Sequence, residues 1–164
     1  MRPQLKRDPL DGATLPSPLR RFVSAHKTWW RKPLVYHKRR VLPAELAVLA
    51  LDLRRGERGV WMNSRGTSRG LVSLVPRGRA YTTRLEAIPE FVASILKDIY
   101  RTLKVKSGCP DLVIWHSRRK RLRFVEVKGP GDRIRDAQRR FIRIAGHHRI
   151  ATKVVVWTFR DRAV

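Results

Sequence analysis

Asp111, Glu126 and Lys128 are the residues whose types and spacing can do chemistry together. Asp111 heads a run of β-branched and aromatic residues, Asp111-Leu-Val-Ile-Trp115, directly after the chain-breaking Gly108-Cys109-Pro110. A charged turn over Ser117 to Arg121 leads into Leu122-Arg-Phe-Val-Glu-Val-Lys128 and then Gly129-Pro130-Gly131, so the two runs read as a β-hairpin. With the turn centred between Arg118 and Arg119, Asp111 faces Glu126, Val113 faces Phe124 and Trp115 faces Leu122. Alternation along the strands then puts Asp111, Glu126 and Lys128 on one face, near one end of it. Two opposed carboxylates repel, and with 13 acidic against 38 basic residues that pairing is a poor accident unless a cation joins them. Magnesium is usually held at phosphate-processing sites by one or two carboxylates, with water and phosphate oxygens completing the shell. A lysine at the same end can stabilise charge on a pentavalent phosphate or orient an attacking water. The ordinary alternative is that Asp111 caps a strand at Pro110 while Glu126 and Lys128 form an edge ion pair. A Glu-x-Lys triplet alone is common, and it is the spacing to Asp111 that favours the metal site.

The elements that must position these residues can be read on either side. Leu42-Pro43-Ala44-Glu45-Leu46 opens a helix that keeps apolar residues at Leu46, Leu49, Ala50 and Leu53 and can end at Gly56, with Glu45 in its first turn. Gly59 to Met62 is a short strand, Asn63 to Gly70 a loop and Leu71 to Val75 a further strand, with Arg65, Arg69, Arg77 and Arg79 around the loops as solvated or phosphate-contacting groups. Ile88 to Leu103 repeats Phe91, Val92, Ile95, Leu96, Ile99 and Leu103 at helical spacing and is expected to be a core helix. After the hairpin, Asp132 can start a helix carrying Ile134, Ala137, Phe141 and Ile144 or Ala145 on one side. Gln138 lies beside that stripe, while Arg133, Arg135, Arg139, Arg140 and Arg143 cover the other faces and suit either solvent or a DNA backbone. Gly146 is expected to end the helix. Thr152 to Phe159 is a buried strand that a right-handed crossover places parallel to Leu122 to Lys128. His147-His148 are adjacent, which rarely lets both reach one metal, so they are expected to be a polar helix end.

Residues 1–20 carry Pro3, Pro9, Pro16 and Pro18 with little periodicity and read as a flexible basic tail, leaving 21–164 as one domain. From Arg20 to Arg40 basic residues interleave with Phe22, Trp29, Trp30, Val35 and Tyr36, an arm that covers a core edge or stacks on bases. Covering is the commoner role for paired tryptophans.

The whole chain of 164 residues has a formal net charge of +25, and Arg supplies 28 of its 38 basic residues. An apolar fraction of 42% is enough for one core, so this is a folded basic protein rather than a disordered polycation. Relief of that self-repulsion calls for a polyanion, and nucleic acid is the expected partner. The single cysteine, Cys109, excludes an internal disulfide and a zinc site built on several thiolates. No apolar run is long enough to span a membrane and no signal-peptide pattern opens the chain, so a soluble, cytoplasmic, nucleoid-associated protein of a prokaryote or a virus-infected host is expected, with no membrane partner.

Pro110-Asp111 and, across a gap of fourteen residues, Glu126-Val127-Lys128 resemble the motif of the PD-(D/E)XK nuclease superfamily. The stretches Gly108 to Trp115, Phe124 to Arg133 and Asp136-Ala-Gln138 resemble more closely its VRR-NUC branch, over about residues 88–157. The resemblance implies an α/β, restriction-endonuclease-like core in which helices flank a mixed β-sheet. It also implies a catalytic set carried by Asp111, Glu126, Lys128, Gln138 and a helix glutamate. Glu45 is the better candidate for the last, and Glu90 the rival. Magnesium or manganese would be held by Asp111, Glu126, Glu45 and the backbone carbonyl of Val127, and Arg65, Arg69, Arg133, Arg135, Arg139 and Arg140 would bind nucleic acid. The activity implied is a metal-dependent DNA endonuclease of repair or recombination. Small single-domain relatives suggest Holliday-junction or flap cleavage, on branched or flapped DNA, by a homodimer. The competing readings are a non-enzymatic basic nucleic-acid-binding protein and a nuclease subunit of a larger repair or restriction complex.

Overall fold

The computed structural model describes residues 16–62, 69–105 and 107–160. Among these, nine strands form one mixed sheet: β1 (Pro16–Trp29), β2 (Lys32–His37), β3 (Arg40–Pro43), β4 (Arg58–Trp61), β5 (Arg69–Arg77), β6 (Ala80–Ala87), β7 (Leu112–His116), β8 (Arg121–Lys128) and β9 (Ala151–Phe159). Their order across the sheet is β3-β2-β1-β9-β8-β7-β4-β5-β6. Three helices accompany them, α1 (Ala44–Asp52), α2 (Glu90–Leu103) and α3 (Asp136–His147).

The alternation of side chains along the central strands sorts the core into two layers. Leu112, Ile114, Val125 and Val127 face α1 and pack with Leu46, Val48 and Leu49. Val113, Trp115 and Phe124 face the other way and pack with Val92, Leu96 and Ile99 of α2 and with Phe141 and Ala145 of α3. There Phe141 meets the edges of Tyr100 and Phe124 at 5.8 and 5.2 Å between ring centroids. Every residue of α1 from Ala44 to Leu49 is buried, because the helix touches β2, β3, β4 and β8 and is enclosed on more than one side.

The central hairpin has the register expected from its turn: Val113 pairs with Phe124 and Trp115 with Leu122, and β9 runs parallel to β8. Four expectations need correction. Pro16 to Arg20, read as part of a tail, belong to β1, whose pairing with β9 satisfies backbone groups that periodicity gave no reason to bury. Arg20 to Arg40 is not a covering arm but two strands and a turn of the sheet itself. β6 lies where no strand was assigned, an edge strand of mostly exposed residues held to β5. α3 starts at Asp136 rather than Asp132, because the Asp132 carboxylate accepts the Gly129 amide at 3.0 Å and closes a turn before the helix. No helix among the described residues is long and apolar enough to cross a membrane.

Candidate active site

Glu126, on the α3 side of β8, is fully buried. Its Oε1 accepts two charge-assisted or polar bonds, from Lys128 Nζ at 2.7 Å and from Gln138 Nε2 at 2.5 Å. Lys128 Nζ also donates to Gln138 Oε1 at 3.0 Å, and the same oxygen accepts the Arg135 amide at 3.0 Å. Gln138 is thereby locked by the first turn of α3 and in turn fixes the rotamers of Glu126 and Lys128. The alternation of β8 is the local reason that Glu126 and Lys128 share a face, and the helical stripe of α3 brings Gln138 down on it.

Asp111 stands just ahead of β7, where its carbonyl accepts the Met62 amide at 2.7 Å and its Oδ2 accepts the Val127 amide at 3.0 Å. Gly108, three residues ahead, lies close against α3. It has φ +85°, and a Cβ there would stand 2.2 Å from the Ala137 carbonyl oxygen in α3. Burial pushes the Asp111 carboxyl up to about 8, and the charges of Glu126 and Glu45 add to the effect. Glu126 Oε2 is buried with no hydrogen-bond partner. A buried acceptor oxygen in that position is costly without a partner, and a donor set made only of carboxylates and carbonyls suits magnesium or manganese. No group of three His, Cys, Asp or Glu side chains forms a ready metal cage among the described residues. Magnesium does not need one, since it binds through one or two carboxylates and keeps several waters.

Glu45 arrives from α1, 5% exposed, and takes an ion pair from Lys32 Nζ at 2.6 Å. This pair raises the Lys32 ammonium against the opposing effect of its burial. Glu45 and Val127 line one pocket of about 540 Å³ together with Arg31, Lys32, Asp132 and the aromatic rings of Trp157 and Phe159. Glu90, the rival glutamate, is exposed at the start of α2 and pairs with Lys97 at 3.7 Å. Arg133, Arg135, Arg139 and Arg140 are exposed at and before the start of α3, and Arg69 is exposed at the start of β5. Arg65 lies outside the described residues. Neither Lys32, whose partner is thirteen positions away with no shared period, nor the aromatic wall from β9 has a local signal in the sequence.

A mixed sheet with helices on both faces, a Pro-Asp turn and a Glu-x-Lys strand whose charged groups meet a helix glutamine make this a PD-(D/E)XK, restriction-endonuclease-like fold. A family model of the VRR-NUC domain matches residues 56–156, and the chain belongs to that family. Two Fanconi-associated nuclease 1 homologs are similar over 49 residues, or 30% of this chain: that of Caenorhabditis elegans at 45% identity and that of Caenorhabditis briggsae at 39%. Among solved structures, paFAN1 bound to 5′-flap DNA with a gap aligns at 30% identity over 42% of this chain, with TM-scores of 0.37 for the two-nucleotide flap and 0.35 for the one-nucleotide flap. The matched segments span 6% of the curated relatives and 14% of the solved chain.

Proposed function

We propose that this protein is a metal-dependent DNA endonuclease that hydrolyses phosphodiester bonds in branched or flapped DNA. The observation that carries the reading is the state of Glu126: a fully buried carboxylate with one oxygen held by Lys128 and Gln138 and the other without a donor, next to Asp111. Asp111 and Glu126 would hold magnesium or manganese, with Glu45 and the Val127 carbonyl approaching from the α1 side of the pocket. When bound, the ion supplies Lewis-acid polarisation of the scissile phosphate and a more acidic water.

The residues of the chain do the rest. Gln138 keeps the Lys128 ammonium and the Glu126 carboxylate in register, so the ammonium is available to the charge that builds on the phosphorus oxygens without first reorganising. The Val127 amide orients the Asp111 carboxylate. Arg133, Arg135, Arg139 and Arg140 flank this end of the sheet and hold the DNA backbone, with Arg69 supporting it from β5. Membership of the VRR-NUC family supports the nuclease reading, and branched DNA against linear DNA is what the test below decides. A homodimer is the expected active form, and mass measurement in solution decides it.

The test incubates labelled four-way junction, 5′ flap and linear duplex with magnesium, manganese or EDTA. Cleavage is expected with either metal and not in EDTA, and Asp111→Ala or Lys128→Ala is expected to abolish it while leaving DNA affinity within a few fold. Activity retained in either variant overturns the assignment. Tight, salt-sensitive binding with no cutting under any metal points instead to a non-enzymatic nucleic-acid-binding protein.

A further inference from the structure

The turn between β1 and β2 consists of Trp30 and Arg31, since Trp29 pairs with Lys32. Both turn residues have positive φ, 48° and 58°. Two-residue hairpin turns of this kind favour Asn-Gly, because side chains with a Cβ are strained in the left-handed region and bulky ones most of all. A tryptophan at the first position is therefore poor local chemistry. It is also poor burial: Trp30 is 57% exposed, the most exposed of the large apolar side chains described. Strain and exposure combined in one residue ask for a use other than folding.

The surroundings of the ring say what that use is. Trp30 lies stacked on Trp29 with centroids 3.9 Å apart and planes 25° from parallel, and it stands 6.5 Å from Trp61. Trp61 pairs with Leu112, the residue after Asp111. On its other flank, Arg31 and Lys32 line the pocket that holds Glu45, and Lys32 is the ion-pair partner of Glu45 at 2.6 Å. The hairpin tip thus stands near Trp61 on one side and at the Glu45 pocket on the other. A largely exposed aromatic ring next to Arg31, at the rim of a pocket lined by Arg31 and Lys32 and in a chain of net charge +25, fits a nucleic-acid base better than an apolar protein surface.

We propose that Trp30 is a stacking platform for an unpaired base, which it holds beside the carboxylate pocket while Arg31 contacts the adjoining phosphate. A flat ring presented at a hairpin tip accepts any base face without reading its sequence, and a paired base, already stacked within its duplex, cannot use it without opening. Trp30 would then make the protein prefer DNA with an unpaired nucleotide near the bond to be cut. The proposal rests on the reading of this site as one that binds DNA, but not on cleavage.

The experiment is equilibrium binding in EDTA, so that no cutting is needed, using a 5′ flap with 2-aminopurine at the unpaired position and a fully paired duplex of the same sequence. Stacking on Trp30 is expected to quench the 2-aminopurine on binding, and Trp30→Gly is expected to remove that quenching. The same variant is expected to weaken flap binding about tenfold while leaving duplex binding within about twofold, in keeping with the contribution of one aromatic–base stack. Glycine suits the positive φ, so the turn persists. Trp30→Asn, which also tolerates it, must behave as Trp30→Gly does, and Trp30→Phe must recover most of the flap preference. Unchanged quenching in Trp30→Gly overturns the proposal. So does an equal loss on flap and duplex, or a loss in only one of the two turn-compatible variants. Because cleavage is scored separately with Asp111→Ala, a failed nuclease assay leaves this result readable, and the reverse also holds.

Discussion

Burial, together with the negative charges of Glu126 and Glu45, pushes the Asp111 carboxyl up to about 8, from an ordinary value of 3.8. A carboxyl whose folded value lies above its unfolded one costs stability wherever the unfolded chain would be ionised and the folded chain would not. The cost is absent below about pH 4, grows as pH rises toward 8 and then levels off. Asp111→Asn keeps an oxygen for the Val127 amide and removes the charge. It is therefore expected to raise the melting temperature clearly at pH 7.5 and hardly at pH 4.5. Magnesium or manganese is expected to raise the melting temperature of the wild type at pH 7.5, because a ligand of the folded state alone stabilises it, and to do much less for the variant. Calorimetry at the two pH values, with and without the metal, checks this. A variant shift that is the same at both values would mean that the carboxyl is not under electrostatic pressure. Neutralising a carboxylate on which activity depends then stabilises the fold, as expected where function requires like charges to be held together.

At the scale of elements, the opposite electrostatic arrangement ties the sheet to α1. Asp52, buried at the end of α1, accepts Arg20 of β1 at 3.0 Å, Arg123 of β8 at 3.0 Å and Lys153 of β9 at 2.7 Å. Arg123 also reaches Glu57 at 2.7 Å, in the link to β4. Burial alone would raise the Asp52 carboxyl, but its bonds to Lys153 and Arg123 more than offset this and hold it below the usual carboxylate range. Its contribution is present in full above the unfolded value of 3.8 and fades as pH falls through the lower folded value. Asp52→Asn leaves three cations facing one another and is expected to cost about 3 kcal/mol in urea unfolding at pH 7, with wild type and variant converging in acid. A loss below 0.5 kcal/mol, the range of an ordinary surface substitution, would show that solvent already screens these groups. None of this network was legible in the sequence, because its partners stand 32, 71 and 101 positions from Asp52 and share no period with it. Legible features were those with a local signal: the β7–β8 register from its turn, α2 from its 3.6-residue period, and β9 from a run of β-branched residues. The same rule divides the site. Asp111, Glu126 and Lys128 share a face that alternation alone predicts, and the Gln138 position follows from a helical stripe. Glu45 needed a resemblance, and Lys32 and Trp157 needed the fold.

For the molecule as a whole, +25 of net charge is far more than two carboxylates and a lysine need from their surroundings. Two groups of exposed arginines stand in places that the sheet sets apart: Arg133, Arg135, Arg139 and Arg140 at the start of α3, and Arg69, Arg77 and Arg79 on the β5–β6 hairpin. α3 begins with the turn that carries Gln138, so its arginines stand nearest the carboxylates, whereas β5 and β6 end the sheet beyond β4. If both groups hold one DNA backbone, removing either lowers affinity for any sequence and lowers the salt dependence with it. Each phosphate contact adds about 0.9 to the slope of log affinity against log salt on duplex DNA. Arg139→Ala with Arg140→Ala is expected to flatten that slope by about 2, and Arg77→Ala with Arg79→Ala by a similar amount. Fluorescence anisotropy across a salt series reads both. The pairs are expected to part company in cleavage at saturating DNA. Loss of the α3 pair should lower the maximal rate, because the backbone it holds is next to the bond being cut, and loss of the β5–β6 pair should leave that rate unchanged once DNA is in excess. A slope that stays the same in the β5–β6 variant would confine the DNA path to the α3 end of the sheet and leave that hairpin's charge serving solubility alone.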